Sequence, residues 1–499
     1  MKKISFIVLI LALCFSGCSE DKQRKEESSY KSRFKSESII TMSDDRIEID
    51  GKKLTEKSGD VFISNDIIYY ENRQNYDNGN PYGEGTEADM HTAEEAASHR
   101  VINITRGGTY RITGKLSKGQ IRIDLGEDAK EDSDAVVEII LDNADINCTV
   151  APAILFMNVY ECDEDWSTDT AKSDVDTSKA GAVLVTSDGS ENNIHGSYVA
   201  KIYKDNGKEK KLWKQDGAIY SYMSMNVFGG GTLNLNAENE GIDTELHLTI
   251  NSGNINIFSQ NDGINTNEDG VSVTTINGGN LNILAGLGAE GDGIDSNGWL
   301  VINGGNVVSS AKQISDSGLD SDMGSFINGG TVVALGSAMD WPESDSNQVA
   351  INLQFAQEQS IKDSIKVMDE NANTVFSFKQ TDDNIAITDR GFTGAVVSCP
   401  DFKTDAKYTL YSGENQLGYY GTDMPFGGMH GKPPMMPDDG KTTHGFEGKK
   451  RPEHDGVPPE RTGSRPPVHF KENHEGMEQK TQFVMTDKVN LFVGVSKVK

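Results

Sequence analysis

One short phrase occurs four times between residues 240 and 322, and a second phrase that contains glycine follows each copy. The copies of the first phrase are Gly241-Ile242-Asp243-Thr244, Gly263-Ile264-Asn265-Thr266, Gly293-Ile294-Asp295-Ser296 and Gly318-Leu319-Asp320-Ser321. The copies of the second begin at Asn251, Asn277, Asn303 and Asn328. Neighbouring copies lie 22 to 30 residues apart in the first series and 25 to 26 in the second. This spacing is too short for a helical-pair repeat and is typical of one coil of a β-solenoid. We therefore predict an all-β chain that folds as a single-stranded parallel β-helix.

The residues between the repeated phrases alternate between apolar and polar, as half-buried strands do. The alternating pairs are Leu233 and Leu235, Ile255 and Ile257, and Leu281 and Ile283. If the coils stack, the aliphatic residues of the first phrase lie about 4.8 Å apart and form an inward ladder. These residues are Ile242, Ile264, Ile294 and Leu319. We expect the asparagines of the second phrase to stack likewise and to bond through their amides, while the glycines take turn conformations closed to other residues.

The acidic residues of the repeats predict a metal site. Because side chains alternate along a strand, the residue after each aliphatic residue should point away from the core. These residues are Asp243, Asn265, Asp295 and Asp320, and Asp262, Asp292, Asp316 and Asp322 are among the acids that crowd the same corner. No lysine or arginine lies between Lys214 and Lys312 to neutralise them. Carboxylate and carbonyl oxygens suit a hard cation, so we predict that these eight residues bind Ca²⁺ rather than zinc. A solvated acidic corner without metal is the alternative.

Residues 1–18 have the features of a lipoprotein signal peptide. Lys2 and Lys3 precede a mostly apolar run, and Ser16-Gly17-Cys18 follows as a lipoprotein-type cleavage box. No other segment approaches the apolar length of a membrane span, so we expect lipid on Cys18 to be the membrane contact. This places the protein in the cell envelope, outside the cytoplasmic membrane. Ordinary secretion is the alternative. Residues 19–37 are highly charged and are predicted to form a flexible tether.

The remainder of the chain is predicted to form one domain with an insertion. Residues 38–424 form the β-helix domain, and residues 481–499 return to it as closing strands. Residues 425–480 hold nine of the thirteen prolines and five of the nine histidines of the chain. A segment of this composition cannot bury a core, so we predict that it is a disordered insertion.

Cysteine content and charge restrict the partners. Beyond the signal region only Cys148, Cys162 and Cys399 are present. They are too few for a disulfide framework, although a pair between Cys148 and Cys162 is possible. The formal net charge of −30 argues against nucleic acid as a partner. We expect a monomer.

Taken together, the motifs resemble the bacterial carbohydrate-binding β-helix proteins first recognised as binders of cellulose and pectic acid in clostridia, a family related in fold to the family 9 polysaccharide lyases. The resemblance is carried by the Gly-Thr-Tyr and Gly-Gln-Ile strands at 108–121, the turn Leu141-Asp142-Asn143-Ala144-Asp145-Ile146, Asp188-Gly189-Ser190, Asp216-Gly217-Ala218-Ile219, the four repeated phrases and the strands at 350–355, 394–397 and 408–413. It implies a right-handed parallel β-helix, calcium held by the turn aspartates and binding of a sugar polymer. Asn265 and Ser317 replace acids at their repeat positions, so those coils are expected to bind metal weakly.

Two functions follow from this pattern. The first, which we favour, is a surface-anchored binding protein without catalytic residues, for polygalacturonate-like polymers or cellulose. Calcium would then join an aspartate to the carboxylate of an acidic sugar. The second is a calcium-dependent polysaccharide lyase, which needs a base beside the acids. From the sequence, Lys312 is the nearby candidate for that base. An envelope adhesin or scaffold is a further alternative.

Overall fold

The computed structural model describes residues 30–70, 87–163, 166–202, 213–312, 316–337, 340–379, 390–422 and 478–498. Within these residues the chain is all-β, as predicted. The helical parts there are α1 (Ala93–Ala97) and two short 3-10 turns, Glu87–Asp89 and Glu127–Glu131. No helix in this part of the chain has the length and apolar character that a bilayer crossing requires. The predicted signal peptide with Cys18, the first part of the tether and most of the predicted insertion at 425–480 lie outside the described residues.

The amino-terminal strands come first. They are β1 (Glu37–Met42), β2 (Ile47–Ile49), β3 (Lys52–Lys53), β4 (Val61–Ser64), β5 (Arg100–Ile104), β6 (Gly108–Leu116), β7 (Gly119–Asp124), β8 (Val137–Cys148) and β9 (Ile154–Asn158). The long strand β8 pairs in parallel with three others, namely β6, β10 (Ala182–Thr186) and β11 (Glu191–Gly196). It therefore joins two of the strand stacks described next.

The repeat region contributes the next strands. They are β12 (Val199–Ile202), β13 (Trp213–Gln215), β14 (Gly217–Ser221), β15 (Met225–Gly229), β16 (Thr232–Ala237), β17 (Glu240–Thr244), β18 (Leu248–Ile250), β19 (Asn254–Ser259), β20 (Ile264–Thr266), β21 (Val273–Ile276), β22 (Asn280–Leu284), β23 (Ile294–Ser296), β24 (Trp299–Ile302), β25 (Asn306–Ser310), β26 (Gly324–Ile327) and β27 (Thr331–Gly336).

Parallel pairing sorts these strands into three stacks. The first stack is β5, β7, β9, β14, β17, β20 and β23. The second is β1, β6, β8, β10, β15, β18, β21, β24 and β26. The third is β8, β11, β16, β19, β22, β25 and β27. From β14 onwards the chain visits the first, second and third stack in turn. The first three repeats therefore each add one strand to every stack, and the fourth adds β26, β27 and an isolated bridge at Leu319.

The predicted inward ladder is confirmed. Ile242, Ile264 and Ile294 are in parallel register, and a bridge continues the row to Leu319. All four side chains are fully buried. The apolar residues of the alternating pairs are buried as well, for example Leu233 and Leu235 in β16. These residues belong to one hydrophobic core that the three stacks share.

The predicted asparagine ladder is also confirmed. The side-chain amide of each asparagine donates to the carbonyl of the one before it at 3.0 Å, from Asn328 to Asn303, Asn277 and Asn251. The glycine at the third position of each phrase has the positive φ that other residues rarely adopt, for example Gly279 at 92° and Gly305 at 84°. The ladder and these glycines hold the turns of successive coils in the same position.

The carboxyl-terminal strands form a second packing unit. They are β28 (Ala350–Ser360), β29 (Ile365–Met368), β30 (Thr374–Phe378), β31 (Gly391–Ser398), β32 (Lys407–Ser412), β33 (Asn415–Gly418), β34 (Phe483–Val484) and β35 (Val489–Lys497). β31 pairs antiparallel with both β27 and β28, so parallel stacking ends at β27. A second hydrophobic core joins Val308 and Val333 of the third stack to Phe355, Phe392 and Phe492. The strands predicted to close the fold thus continue its large sheet but mostly pair in the opposite direction.

The predicted tether ends earlier than residue 37. Buried Glu138 accepts hydrogen bonds from the Ser32 hydroxyl at 2.6 Å and from the Arg33 backbone N–H at 2.8 Å. Tyr30 and Phe34 pack on an apolar patch of the second stack that includes Val183. Residues 30–37 are therefore docked on the domain, because a buried carboxylate and exposed apolar strands both need covering.

No disulfide joins Cys148, Cys162 and Cys399, the three cysteines beyond the signal region, to one another. The Cys148–Cys162 pair that the sequence permitted does not form.

Candidate metal centre

Two adjacent columns of acidic residues run along the first stack. One column consists of the residues that follow the inward ladder, Asp243, Asn265, Asp295 and Asp320. The other consists of Glu240, Asp262 and Asp292, which precede glycines of the motif, together with Asp216, which precedes Gly217 and whose backbone carbonyl accepts the N–H of Glu240. We call these eight residues the acidic strip. The strip exists because parallel register places equivalent residues of neighbouring coils about 4.8 Å apart.

One end of the acidic strip is buried. Asp243 is 0% exposed, Glu240 4%, Asn265 6% and Asp262 8%. The side chains do point away from the aliphatic ladder, as alternation requires, but Lys214 and Asn267 lie against them. A solvated acidic corner is therefore excluded for these four residues.

Three carboxylates, which we call the triad, converge at this buried end. One oxygen each from Asp216, Glu240 and Asp243 lies within 4.8 Å of the others, and the described residues contain no second group of this kind. Glu240 Oε2, Asp243 Oδ2 and Asn265 Oδ1 are buried and have no hydrogen-bond partner. A buried polar atom without a partner costs about 1–3 kcal/mol. The donor set consists of oxygens alone, and it fits a hard cation such as Ca²⁺.

The protonation of the acidic strip reflects this crowding. Burial raises the pKa of Asp243, the carboxylate of Glu240 raises it further, and the ammonium of Lys214 opposes both. Burial also raises the pKa of Asp262, with a further contribution from Glu240. The pKa of Asp292 rises for the same reason, with Asp320 as its strongest charged neighbour. Several carboxyl groups of the strip therefore resist ionisation in the absence of a cation.

Lys214 is the cation that the sequence did not identify. It lies on β13, and its Nζ is 2.7 Å from Asp216 Oδ2 and donates to Asn267 Oδ1 at 3.0 Å. Burial by itself lowers the pKa of this ammonium, but the surrounding carboxylates, those of Glu240 and Asp243 foremost, together outweigh that effect and raise it. Lys214 precedes Asp216 by two residues, so the period of a strand could have placed both on one side.

The predicted metal ligands do not all have the same role. Asp262 Oδ1 accepts the backbone N–H of Asp292 at 2.7 Å, and Asp316 Oδ2 accepts that of Gly291 at 2.8 Å. These oxygens hold the backbone of a neighbouring coil. Asp295 and Asp320 are half-buried, and Asp322 is exposed beyond the end of the acidic strip. The structure thus places Asp243 and Asn265 at the converging oxygens. The other predicted ligands lie further along the first stack.

Two members of the triad were absent from the predicted ligand set. Glu240 precedes the first copy of the repeated phrase, and Asp216 opens the motif Asp216-Gly217-Ala218-Ile219. Each is followed by a glycine and, within three residues, by a buried isoleucine, and that pattern is the signal that could have identified them. Lys312, the lysine that the sequence offered as a base, instead donates its ammonium to the carbonyl of Gly288.

Comparison with known proteins places these features in a family. Residues 98–389 match the family model described as "Carbohydrate-binding domain-containing protein". Among solved structures, a polysaccharide lyase-like protein from C. thermocellum is similar to this chain, with 19% identity and a TM-score of 0.34. The alignment covers 59% of this chain and 93% of that one. No curated protein matches the chain.

Proposed function

The chain belongs to the carbohydrate-binding domain-containing proteins, and from that premise we propose that it is a calcium-dependent binding protein for acidic or plant cell-wall polysaccharide. The proposal places it in the cell envelope, held by lipid on Cys18. The observation that carries the calcium dependence is the set of buried, unpartnered oxygens on Glu240, Asp243 and Asn265.

We further propose that the three stacks are the faces of a right-handed parallel β-helix. Their rotation along the chain from β14 to β27 supports this arrangement, and connections between parallel strands of one sheet are right-handed in nearly all proteins. Each face would be rigid and regular along its length. A polymer that repeats its sugar units could contact several coils of such a face at once.

The calcium ligands of the proposal are Asp216, Glu240, Asp243 and Asn265. When bound, the ion would supply positive charge and open coordination positions for the carboxylate of a uronic acid. The protein's own residues bury the ligands and keep them close before any ion arrives. Asn267 orients the acids by donating its side-chain amide to Asp243.

A polysaccharide lyase is the second candidate, and the position of Lys214 favours it. A lyase needs a base that removes the proton beside the uronate carboxyl group. Lys214 lies at the triad, whereas Lys312 is engaged elsewhere. The surrounding carboxylates keep Lys214 protonated, and a dication at the triad would lower its pKa again. Lys214 therefore replaces Lys312 as the residue to test.

The experiment measures whether the full chain is retained on immobilised polygalacturonate, once in a buffer that contains calcium and once in a buffer that contains a chelator. We expect retention in calcium, release in chelator and no production of unsaturated ends. Asp243→Asn should abolish retention, and Asp188→Asn, the same change on an exposed turn, should leave it intact. Retention that ignores calcium would refute the calcium dependence. Steady growth of the ultraviolet absorbance of unsaturated uronates, lost in Lys214→Ala, would establish the lyase instead.

A further inference from the structure

A positive charge already lies beside the three converging carboxylates. Lys214 Nζ is 2.7 Å from Asp216 Oδ2, one of the three triad carboxylates. The same ammonium donates to Asn267 Oδ1, and Asn267 in turn donates to Asp243. Lys214 thus contacts one triad acid directly and a second through one side chain. Its own side chain is 26% exposed, so it reaches the triad from the edge of the buried region.

We propose that Lys214 is a built-in counterion of the metal site: an entering cation displaces it, and the released ammonium then binds the carboxylate of an acidic sugar. This inference rests on the proposed function, because it assigns a role to Lys214 in that same site. It makes the binding of an anionic sugar dependent on prior binding of the cation.

Displacement follows from the distances. A calcium ion coordinates oxygens at about 2.3–2.6 Å, so an ion on the Asp216 carboxylate would lie within about 5 Å of Lys214 Nζ. A dication and an ammonium this close repel each other strongly in a partly buried site. The lysine stem is flexible and has a path to solvent, whereas the triad oxygens are fixed by strands. Lys214 is therefore the group that moves.

The displaced ammonium changes what the site attracts. With Lys214 in place, an incoming sugar carboxylate meets the acids of the strip and is repelled. With the cation bound and Lys214 turned outward, the same region presents a dication and an ammonium beside each other. A uronate carboxylate can contact both charges, while a neutral or methyl-esterified sugar gains nothing from them.

The first test is the calcium affinity of the full chain, measured by calorimetry without sugar. We expect Lys214→Met to bind calcium about tenfold more tightly than wild type, because the competing charge is gone. Lys214→Arg keeps the charge and should bind about as weakly as wild type. Lys312→Met is the matched control, since it removes the same charge from a residue that contacts Gly288 rather than the triad. Equal affinities in Lys214→Met and Lys312→Met would overturn the proposal.

The second test is sugar binding at saturating calcium. We expect Lys214→Met to lose about tenfold in affinity for a galacturonate oligomer and to bind the methyl-esterified oligomer as wild type does. Equal losses for both oligomers would refute the role of the ammonium in recognition. The two failures are distinguishable: a wild-type protein that binds no calcium refutes the proposed function itself. A wild-type protein that binds calcium with no effect of Lys214→Met refutes the counterion alone.

Discussion

The carboxylate of Asp262 accepts a hydrogen bond from the backbone N–H of Asp292, its counterpart one coil later, at 2.7 Å. The carboxylate of Asp292 accepts the backbone N–H of Ser317 in the same way. Each of these acids therefore ties two coils together. Asp243 and Glu240 differ, because each has one buried oxygen without any partner. The acidic strip thus contains acids that serve the fold and acids that are available to a ligand.

Substitution of Asp262 should therefore destabilise the fold whether or not calcium is present. Asp262→Ala leaves the Asp292 N–H without its acceptor, which costs about 1–3 kcal/mol. We expect a lower thermal midpoint in calcium and in chelator by similar amounts. A loss confined to calcium would show instead that Asp262 is primarily a metal ligand.

Substitution of Asp243 should have opposite effects in the two conditions. Asp243→Asn retains the acceptor for Asn267 but removes one of three crowded acids, so the protein in chelator should gain about 1 kcal/mol. Calcium, which at about 100 times its dissociation constant stabilises wild type by about 2.7 kcal/mol, should no longer stabilise this variant. Thermal melting of both proteins measures the effect, with Asp188→Asn as the control expected to behave as wild type. Full calcium stabilisation of Asp243→Asn would exclude this residue as a ligand.

The buried acids also predict how the stability of the protein changes with pH when a chelator has removed calcium. Burial and neighbouring charges raise the pKa of Asp243, Asp262 and Asp292 in the folded protein. The folded state then holds more protons than the unfolded state once the pH exceeds the ordinary carboxyl value of about 3.9. Their contribution to stability is complete below that pH and is lost as the pH rises through the raised pKa. The advantage of Asp243→Asn over wild type in thermal midpoint should therefore grow as the pH rises above about 4. A constant difference would mean that Asp243 ionises normally.

The inward ladder gives a prediction about folding. Ile294→Asp places a charge in the fully buried row, at a cost of several kcal/mol, and should prevent folding. Ile39→Asp is the matched control, because that isoleucine is 42% exposed and its replacement should be nearly silent. Soluble expression and the β-sheet circular dichroism signal distinguish the two. A folded Ile294→Asp protein would show that this position is not in the core.

The docked amino-terminal segment can be tested by limited proteolysis. Glu138 accepts the Ser32 hydroxyl, the Arg33 N–H and the Thr109 hydroxyl. Glu138→Ala removes the carboxylate that accepts all three hydrogen bonds and should release residues 30–36. Cleavage by trypsin at Lys31, Arg33 and Lys35 should then become faster than in wild type. An unchanged cleavage rate would show that the apolar contacts of Tyr30 and Phe34 suffice to hold the segment.

Features that depend on periodicity could be predicted from the sequence. The repeat length required parallel stacking, and alternation in β16, β19 and β22 identified the inward residues. The asparagine ladder followed from the same register. Reversal of strand direction at β31 could not be predicted, because it depends on the outer face of the third stack. On that face Val308 and Val333 are apolar, and β28 with Phe355 and β31 with Phe392 cover them.

The sequence by itself determined that acids would accumulate in register on one side of the aliphatic ladder, since each copy of the phrase places its polar residue directly after the inward aliphatic residue and side chains alternate along a strand. Only the tertiary structure decided which of those acids are buried, which have free oxygens and which cation faces them. Those properties depend on contacts between distant segments. Lys214 approaches from β13, outside the four repeats, and Asn267 reaches back to Asp243 from the next coil. Burial and charge compensation are properties of such contacts, and a local pattern does not contain them.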